Sequence, residues 1–165
     1  MAKEQSFDVV SQVDMQEVDN AVQQAAKEVA QRYDLKDSGS RIVLDKQAAT
    51  ITVTSPADFV ARQVIDVLAT KLVKRGVDLK ALEWGEPQTA AGSTVRVTAT
   101  IVNGIAADLS RRINKDIREQ KFKVRVQVEG DKLRVFGQKR DELQAVIAFL
   151  KERDYGIPLQ YTNYR

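Results

Sequence analysis

The sequence contains no cysteine and no histidine among its 165 residues. The absence of cysteine excludes disulfide bonds, thiol nucleophiles and thiolate metal sites. The absence of histidine removes the most common general base and the most common neutral metal ligand. We therefore expect a binding protein rather than an enzyme, with no catalytic residues, no metal and no cofactor.

Long apolar runs are also missing. No stretch approaches the roughly 20 apolar residues that a membrane-spanning helix requires. Residues 1–5 include one lysine, with no apolar region behind them that a signal peptide would need. The sequence therefore predicts a cytoplasmic protein with no membrane partner. Apolar residues make up 43% of the chain, which is enough for packed cores and too many for a disordered protein.

Charge is distributed unevenly along the chain. Residues 104–165 contain 14 Lys and Arg against 9 Asp and Glu, a net charge of +5. Residues 1–103 contain 12 against 14, a net charge of −2. An anionic partner would therefore meet the C-terminal part first. An asymmetry this small is equally typical of two ordinary solvated surfaces.

An internal repeat organises the sequence. Residues 41–68 match residues 123–150 at an offset of 82 without a gap. Each copy reads as strand, turn, strand and helix, because apolar residues alternate in the strands and recur every three or four residues in the helix. A chance match of two strands, a turn and a helix in one register is rare, so the repeat predicts two similar structural units.

Further elements flank each copy. The first copy follows a strand at 6–13 and a helix that begins at Asp14, and the second follows a strand at 94–102 and a helix capped by Asn103. Short final strands are predicted at 81–84 and 158–164, and a linker at 85–93. The order β-α-β-β-α-β indicates an α+β fold of two tandem ferredoxin-like, RRM-like domains.

The free face of such a sheet is where RRM-type domains stack RNA bases on exposed aromatic side chains. In the second hairpin, alternation places Val124, Val126 and Val128 inward. The outward-facing candidates for nucleotide or RNA binding are Lys123, Arg125, Lys132, Arg134 and Phe136. An aromatic ring among cations can stack a base and pair with phosphates. The other interpretation is a solubilising strand surface or coverage of Phe136 by other parts of the fold.

Two further groups of cations lie on helices. The first comprises Arg111, Arg112, Lys115 and Arg118. A phosphate backbone could lie along this helix, although such a face is more often simply solvated. The second is Lys139 and Arg140 at the start of the last helix, where helix N–H groups attract anions. Asp141 would repel a phosphate there, so we expect it to cap the helix. The first hairpin presents Thr50, Thr52, Thr54, Val43 and Asp45 outward, with no aromatic residue and little positive charge.

Four segments, at 6–18, 130–135, 139–147 and 158–165, resemble the bacterial YajQ family, and the resemblance covers essentially the whole chain. It implies that the two domains exchange their first strands. On this basis the first domain is 14–103, including the strand at 94–102, and the second is 1–13 plus 104–165. One departure is Phe136, where the family usually has threonine, so the predicted stacking residue is not a family feature.

The resemblance also implies a function without catalysis. Ligands proposed for the family are RNA (including tRNA), purine nucleotides and, for some members, cyclic di-GMP. The favoured hypothesis is therefore a protein that binds RNA or a purine nucleotide through the basic sheet face. The alternative is a regulatory adaptor that responds to cyclic di-GMP and contacts a protein partner.

Overall fold

Two compact units make up the structure. This computed structural model describes residues 3–165. Residues 3–12 with Asn103–Arg165 form one unit, here the C-terminal unit, and Val13–Val102 form the other, here the N-terminal unit. The two breaks fall one residue before those expected from the sequence. Residues 1 and 2 lie outside the described residues. Two predictions include them: that residues 1–5 do not begin a signal peptide, and that residues 1–13 belong to the second domain.

Strands and helices alternate along most of the chain. In chain order the elements are β1 (Gln5–Val10), α1 (Met15–Gln31), β2 (Arg41–Asp45), β3 (Thr50–Ser55), α2 (Asp58–Lys74), β4 (Leu82–Trp84), β5 (Gln88–Ala90), β6 (Thr94–Ile101), α3 (Ala107–Glu119), β7 (Val124–Glu129), β8 (Lys132–Gly137), α4 (Arg140–Lys151) and β9 (Gln160–Thr162). None of the helices within residues 3–165 is long and apolar enough to cross a membrane.

Each unit is built on an antiparallel sheet. The C-terminal sheet has the order β7-β8-β1-β9, and the N-terminal sheet has the order β2-β3-β6-β4, with β5 also paired to β6. The interpretation of residues 85–93 as a linker is wrong, because β5 lies within them. Its Gln88 pairs with Arg96 of β6, so this segment continues the sheet.

The exchanged strand of each sheet occupies an inner position. Strand β1 pairs with β8 on one side and β9 on the other. Strand β6 pairs with β3 and with β4. The prediction of two tandem ferredoxin-like units with exchanged first strands is therefore confirmed. The N-terminal unit is therefore one continuous segment that ends with β6, whereas the C-terminal unit needs β1 from the start of the chain.

The helix starts agree only partly with the sequence prediction. Asp14 caps α1, since its Oδ1 accepts hydrogen bonds from the N–H groups of Gln16 (3.0 Å) and Glu17 (3.4 Å). The prediction that Asn103 caps α3 is wrong, because Ala106 occupies the N-cap position. The chain first turns at Gly104, whose φ is +96°, and helical geometry begins only afterwards.

The core of the C-terminal unit lies between its sheet and its helices. Phe7 of β1 and Leu133 and Val135 of β8 are fully buried in one cluster with Ile113 and Ile117 of α3. Neighbouring side chains along these strands alternate in direction, so the residues between them point away from the helices. This alternation creates an outer sheet face on which polar side chains can approach a ligand.

Strand β7 departs from the expected burial pattern. Val124 and Val126 pack against the core as predicted. Val128, also predicted to be buried, is 42% exposed. It lies next to the hairpin turn at Gly130, beyond the part of the strand that contacts the core cluster. The tip of this hairpin is therefore more open than strict alternation implies.

Candidate functional site

The outer side of the C-terminal hairpin carries five of the residues predicted to bind nucleotide or RNA. These are Lys123, Arg125, Lys132, Arg134 and Phe136. They alternate with core positions such as Leu133 and Val135, so the strand geometry directs them away from the core. Their surroundings nevertheless divide them into two groups with different chemistry.

The first group is centred on Phe136. Arg125 of β7 is the cross-strand partner of Phe136, and its guanidinium carbon lies 4.2 Å from the centroid of the ring. This distance is that of a cation–π contact. The same guanidinium donates a hydrogen bond from Nη2 to Glu4 Oε1 at 2.9 Å. Arg125 therefore lies over the aromatic ring and remains largely in contact with solvent.

A depression of about 470 Å³ surrounds this pair. Its charged lining residues are Lys123, Arg125, Lys139, Glu4 and Glu142. Three cations thus face two carboxylates, and one of those carboxylates is already bound to Arg125. We call Lys123, Arg125, Phe136 and Lys139 the Phe136 surface. It combines a planar stacking group with two lysines that can meet phosphate oxygens.

The start of α4 adds to this surface. Lys139 is the N-cap residue, and its side chain makes no capping hydrogen bond. The expectation that Asp141 caps the helix is wrong, because it lies inside the first turn. The N-terminal end of a helix carries partial positive charge. Lys139 therefore contributes both its own charge and a position next to that helix end, although Asp141 and Glu142 in the first turn oppose an anion.

A second depression, of about 480 Å³, lies beside the start of α4 and was missed from the sequence. Arg140, Tyr164 and Arg165 contribute a ring and two guanidinium groups to it. The C-terminal residue is held there because its backbone N–H and C=O pair with those of Ser6 at 3.0 and 3.1 Å. Tyr164 is 60% exposed. The sequence signal for this depression was the pair Tyr164 and Arg165. Tyr164 was interpreted only as part of the predicted strand at 158–164.

The second group of hairpin residues is bound to a buried carboxylate, Asp8 of β1. The Asp8 side chain is 3% exposed. Its Oδ1 accepts a hydrogen bond from Arg134 Nε at 2.8 Å, and its Oδ2 accepts one from Asn163 Nδ2 at 2.9 Å and one from Lys132 Nζ at 3.4 Å. We call Asp8, Lys132, Arg134 and Asn163 the Asp8 cluster.

Electrostatics favour the ionised form of Asp8. Burial by itself would raise the pKa of this carboxyl. The hydrogen bonds from Arg134 and Asn163, with the positive charges of Arg134 and Lys132, outweigh burial and lower the pKa of Asp8 to about 2. Arg134 is also 3.6 Å from Glu129. Lys132 and Arg134 are therefore neutralised within the sheet and are less available to phosphates than Lys123 or Lys139.

The helix residues predicted to bind phosphate lie elsewhere. Arg111, Arg112, Lys115 and Arg118 are all exposed on α3. Helix α3 covers the core side of the C-terminal sheet, so these residues do not join the Phe136 surface on the outer side. Arg112 lies over the ring of Tyr155, at 5.2 Å from its centroid, and Lys115 is 4.0 Å from Glu119. Arg111 and Arg118 make neither an ion pair nor a hydrogen bond of their side chains within the described chain.

The fold and this surface define a class of protein: a pair of ferredoxin-like α+β units, one with an outer sheet face that joins an aromatic ring to several cations. Among residues 3–165, no group of three carboxylates lies close enough together to hold a metal ion.

Comparison with known proteins identifies the family. Residues 5–165 match the family model described as nucleotide-binding protein YajQ-like, and the chain belongs to this family. A protein of Desulfitobacterium hafniense named nucleotide-binding protein is 53% identical over 165 residues, which is 100% of both chains. Proteins of the same name from Desulforamulus reducens and Carboxydothermus hydrogenoformans are 50% and 46% identical, with 100% of this chain and 99% and 100% of theirs covered.

Proposed function

We propose that this chain binds nucleotides, and that its ligand at the Phe136 surface is single-stranded RNA. The observation that carries the proposal is the Arg125 guanidinium stacked 4.2 Å from the Phe136 ring centroid in a depression that also contains Lys123 and Lys139. The names of the full-length relatives, nucleotide-binding protein, support the general class of ligand.

Binding would use stacking and phosphate contacts together. A base can stack on the outer side of the Arg125 guanidinium, or on the ring if that guanidinium moves toward a phosphate. Lys123 and Lys139 would then meet neighbouring phosphates. Because these contacts release counterions, affinity should fall as the salt concentration rises. We propose binding without chemical turnover, in the cytoplasm.

The test is fluorescence anisotropy of a labelled single-stranded RNA at low and physiological salt. Stacking of one base on an aromatic side chain contributes about 1–3 kcal/mol. Phe136→Leu should therefore weaken binding by roughly fivefold or more, since leucine keeps the bulk and loses the ring. Phe59→Leu is the matched control, because Phe59 is 68% exposed and lies in the N-terminal unit.

A second pair of variants tests the charges. Lys123→Gln should weaken RNA binding and reduce its dependence on salt. Arg118→Gln removes an equal charge from the helix layer and should have less effect. Two results together would place the RNA contacts away from the Phe136 surface. Phe136→Leu would bind RNA as tightly as the wild type, and Lys123→Gln would bind RNA at least as tightly as Arg118→Gln.

Direct titration with GTP and cyclic di-GMP addresses the other class of ligand. Saturable binding of cyclic di-GMP by a protein that binds no RNA would contradict the proposal. It would favour instead a regulatory adaptor that binds the cyclic dinucleotide and passes the signal to a protein partner.

A further inference from the structure

The outer face of the N-terminal sheet carries a row of polar side chains near the end of β3. Thr54 of β3 pairs with Arg41 of β2 on one side and with Arg96 of β6 on the other. Gln88 of β5 extends the row, because it pairs with Arg96. The exchanged strand β6 thus places a second arginine beside a hairpin that contained only one.

Both arginines are available to an anion. Arg41 and Arg96 are exposed, and neither side chain makes an ion pair or a hydrogen bond to any residue in the described part of the chain. In contrast, Arg125 and Arg134 are bound to Glu4 and Asp8. Neighbouring strands lie about 4.8 Å apart, which puts the Cα atoms of Arg41 and Arg96 about 10 Å from each other. Two long side chains can reach one anion from that separation.

The row forms one side of a depression of about 610 Å³. Its lining residues are Arg41, Val43, Thr52, Thr54, Gln88, Arg96 and Thr98. These include two guanidinium groups and no carboxylate, unlike the depression at the Phe136 surface, which contains Glu4 and Glu142. The hydroxyl oxygens of Thr52 and Thr98 are 3.5 Å apart in the next row. The lining therefore offers mainly hydrogen-bond donors to a negatively charged ligand.

The opposite end of the same face has the opposite charge. Asp45 pairs with Thr50, Thr50 with Thr100, and Thr100 with Glu83. This acidic row lies about 13 Å from the arginine row along β3, at about 3.3 Å per residue. A nucleic-acid backbone running along the strands would meet both carboxylates. A compact anion at the arginine row would not.

We propose that the row Arg41–Thr54–Arg96 binds a compact phosphate chain, with the chemistry of a diphosphate or triphosphate. Guanidinium groups form paired hydrogen bonds with phosphate oxygens. Thr54 places a hydroxyl between them. No aromatic ring lines the depression among its residues, so the phosphates and not a base provide recognition. This site lies in the N-terminal unit and does not rest on RNA binding at the Phe136 surface.

The experiment is calorimetric titration of the full-length protein with inorganic tripolyphosphate at low salt. The wild-type protein should bind one equivalent in a saturable manner. Arg41→Gln and Arg96→Gln should each weaken binding on the order of tenfold, the effect of removing a charged hydrogen bond, and the double variant should abolish it. Arg41→Lys should be intermediate, because lysine keeps the charge and loses the paired geometry.

Arg62→Gln is the matched control. Arg62 lies on α2, its side chain is 75% exposed, and it pairs only with Asp58 of its own helix among the described residues. It should bind tripolyphosphate within about twofold of the wild type, since exposed charges far from the ligand are screened. Absence of saturable binding by the wild type would overturn the proposal. So would an equal loss in Arg62→Gln and Arg41→Gln, which would indicate general charge attraction.

The two proposals fail separately. The variant Arg41→Gln with Arg96→Gln should bind RNA like the wild type, and Phe136→Leu should bind tripolyphosphate like the wild type. Unchanged tripolyphosphate binding in the double variant, with normal RNA binding, would refute the phosphate-chain site and leave the Phe136 surface standing. Loss of RNA binding in the double variant would instead contradict the Phe136 surface as the RNA site. Circular dichroism of each variant checks that the sheets are intact.

Discussion

Replacing Asp8 by asparagine removes the buried negative charge that holds Lys132 and Arg134 against β1. The pKa of Asp8 falls from 3.8 to about 2. One pKa unit corresponds to about 1.4 kcal/mol, so ionisation of Asp8 stabilises the folded state by about 2.5 kcal/mol relative to the protonated carboxyl. The NH2 group of the asparagine amide would also face the N–H donors of Lys132 and Arg134, to which it cannot form a hydrogen bond. We expect Asp8→Asn to lower the free energy of unfolding by about 3 kcal/mol at pH 7.

The effect should depend on pH in a defined direction. Because the folded-state pKa of Asp8 lies below the unfolded value of 3.8, its stabilisation is fully present above that value and is lost as the pH falls through about 2. Urea unfolding followed by circular dichroism, at several pH values between 7 and 2, measures the difference between wild type and variant. That difference should shrink by about 2 kcal/mol over this range, because Asp8 is still about half ionised at pH 2.

A control and an independent readout make this prediction strict. Asp108→Asn removes the same charge from an exposed position in the first turn of α3, and should cost less than about 1 kcal/mol. Amide hydrogen exchange should become faster in β1 and β8 of Asp8→Asn and stay unchanged in the N-terminal unit. If Asp8→Asn is as stable as wild type at pH 7, or if the difference does not vary with pH, the electrostatic account of this cluster is wrong.

Three further predictions concern stability. Tyr155→Phe removes the hydrogen bond from the hydroxyl to Asp116 Oδ2 at 2.8 Å and should cost about 1 kcal/mol in urea unfolding. Burial and Asp116 raise the pKa of Tyr155 to about 12. Its contribution to the free energy of unfolding should therefore be fully present below pH 10 and be lost as the pH rises through 12. An ultraviolet titration that finds the pKa of an ordinary phenol would contradict this. Gly104→Ala should lower the melting temperature, at a cost of about 2 kcal/mol, because φ is +96° and a Cβ would lie 2.7 Å from Asp131 Oδ2; an unchanged melting temperature would argue against that contact. Asp14→Ala should cost about 1 kcal/mol through loss of the α1 cap, whereas Asp14→Asn should recover most of it, and equal stability of both variants with wild type would exclude a capping role.

Most of the fold could be predicted because its signals are local. The repeat of residues 41–68 at 123–150 predicts two similar units, since alternation and helical periodicity depend on near neighbours. The same reasoning failed at residues 85–93 and at Asn103. Turn-forming residues around Gly85 and Gly92 concealed β5. Helix α3 begins only at Ala107, after a segment in which the backbone N–H of Ile105 donates to the carbonyl of Asp131 at 2.9 Å. Whether a short segment pairs as a strand, and where a helix begins, depends on which segments lie next to it in the fold. The local sequence pattern contains no information about those neighbours.

The candidate site divides in the same way. The alternation of side-chain direction along each strand was enough to identify Arg125 and Phe136 as outward-facing residues, and they are cross-strand partners within one hairpin. It could not show that Arg134 is bound to Asp8, because these residues meet only when β1 pairs with β8.

Sequence by itself therefore determined the number of units, the type of most elements and the residues on each strand face, because these follow from side-chain direction along a short segment. Only the tertiary structure decided which charges are neutralised and which remain free. The exchange of β1 and β6 brings Asp8 to Arg134 and Arg96 to Thr54. The electrostatic character of each sheet face depends on such neighbours across strands, and strand order rather than local sequence determines them.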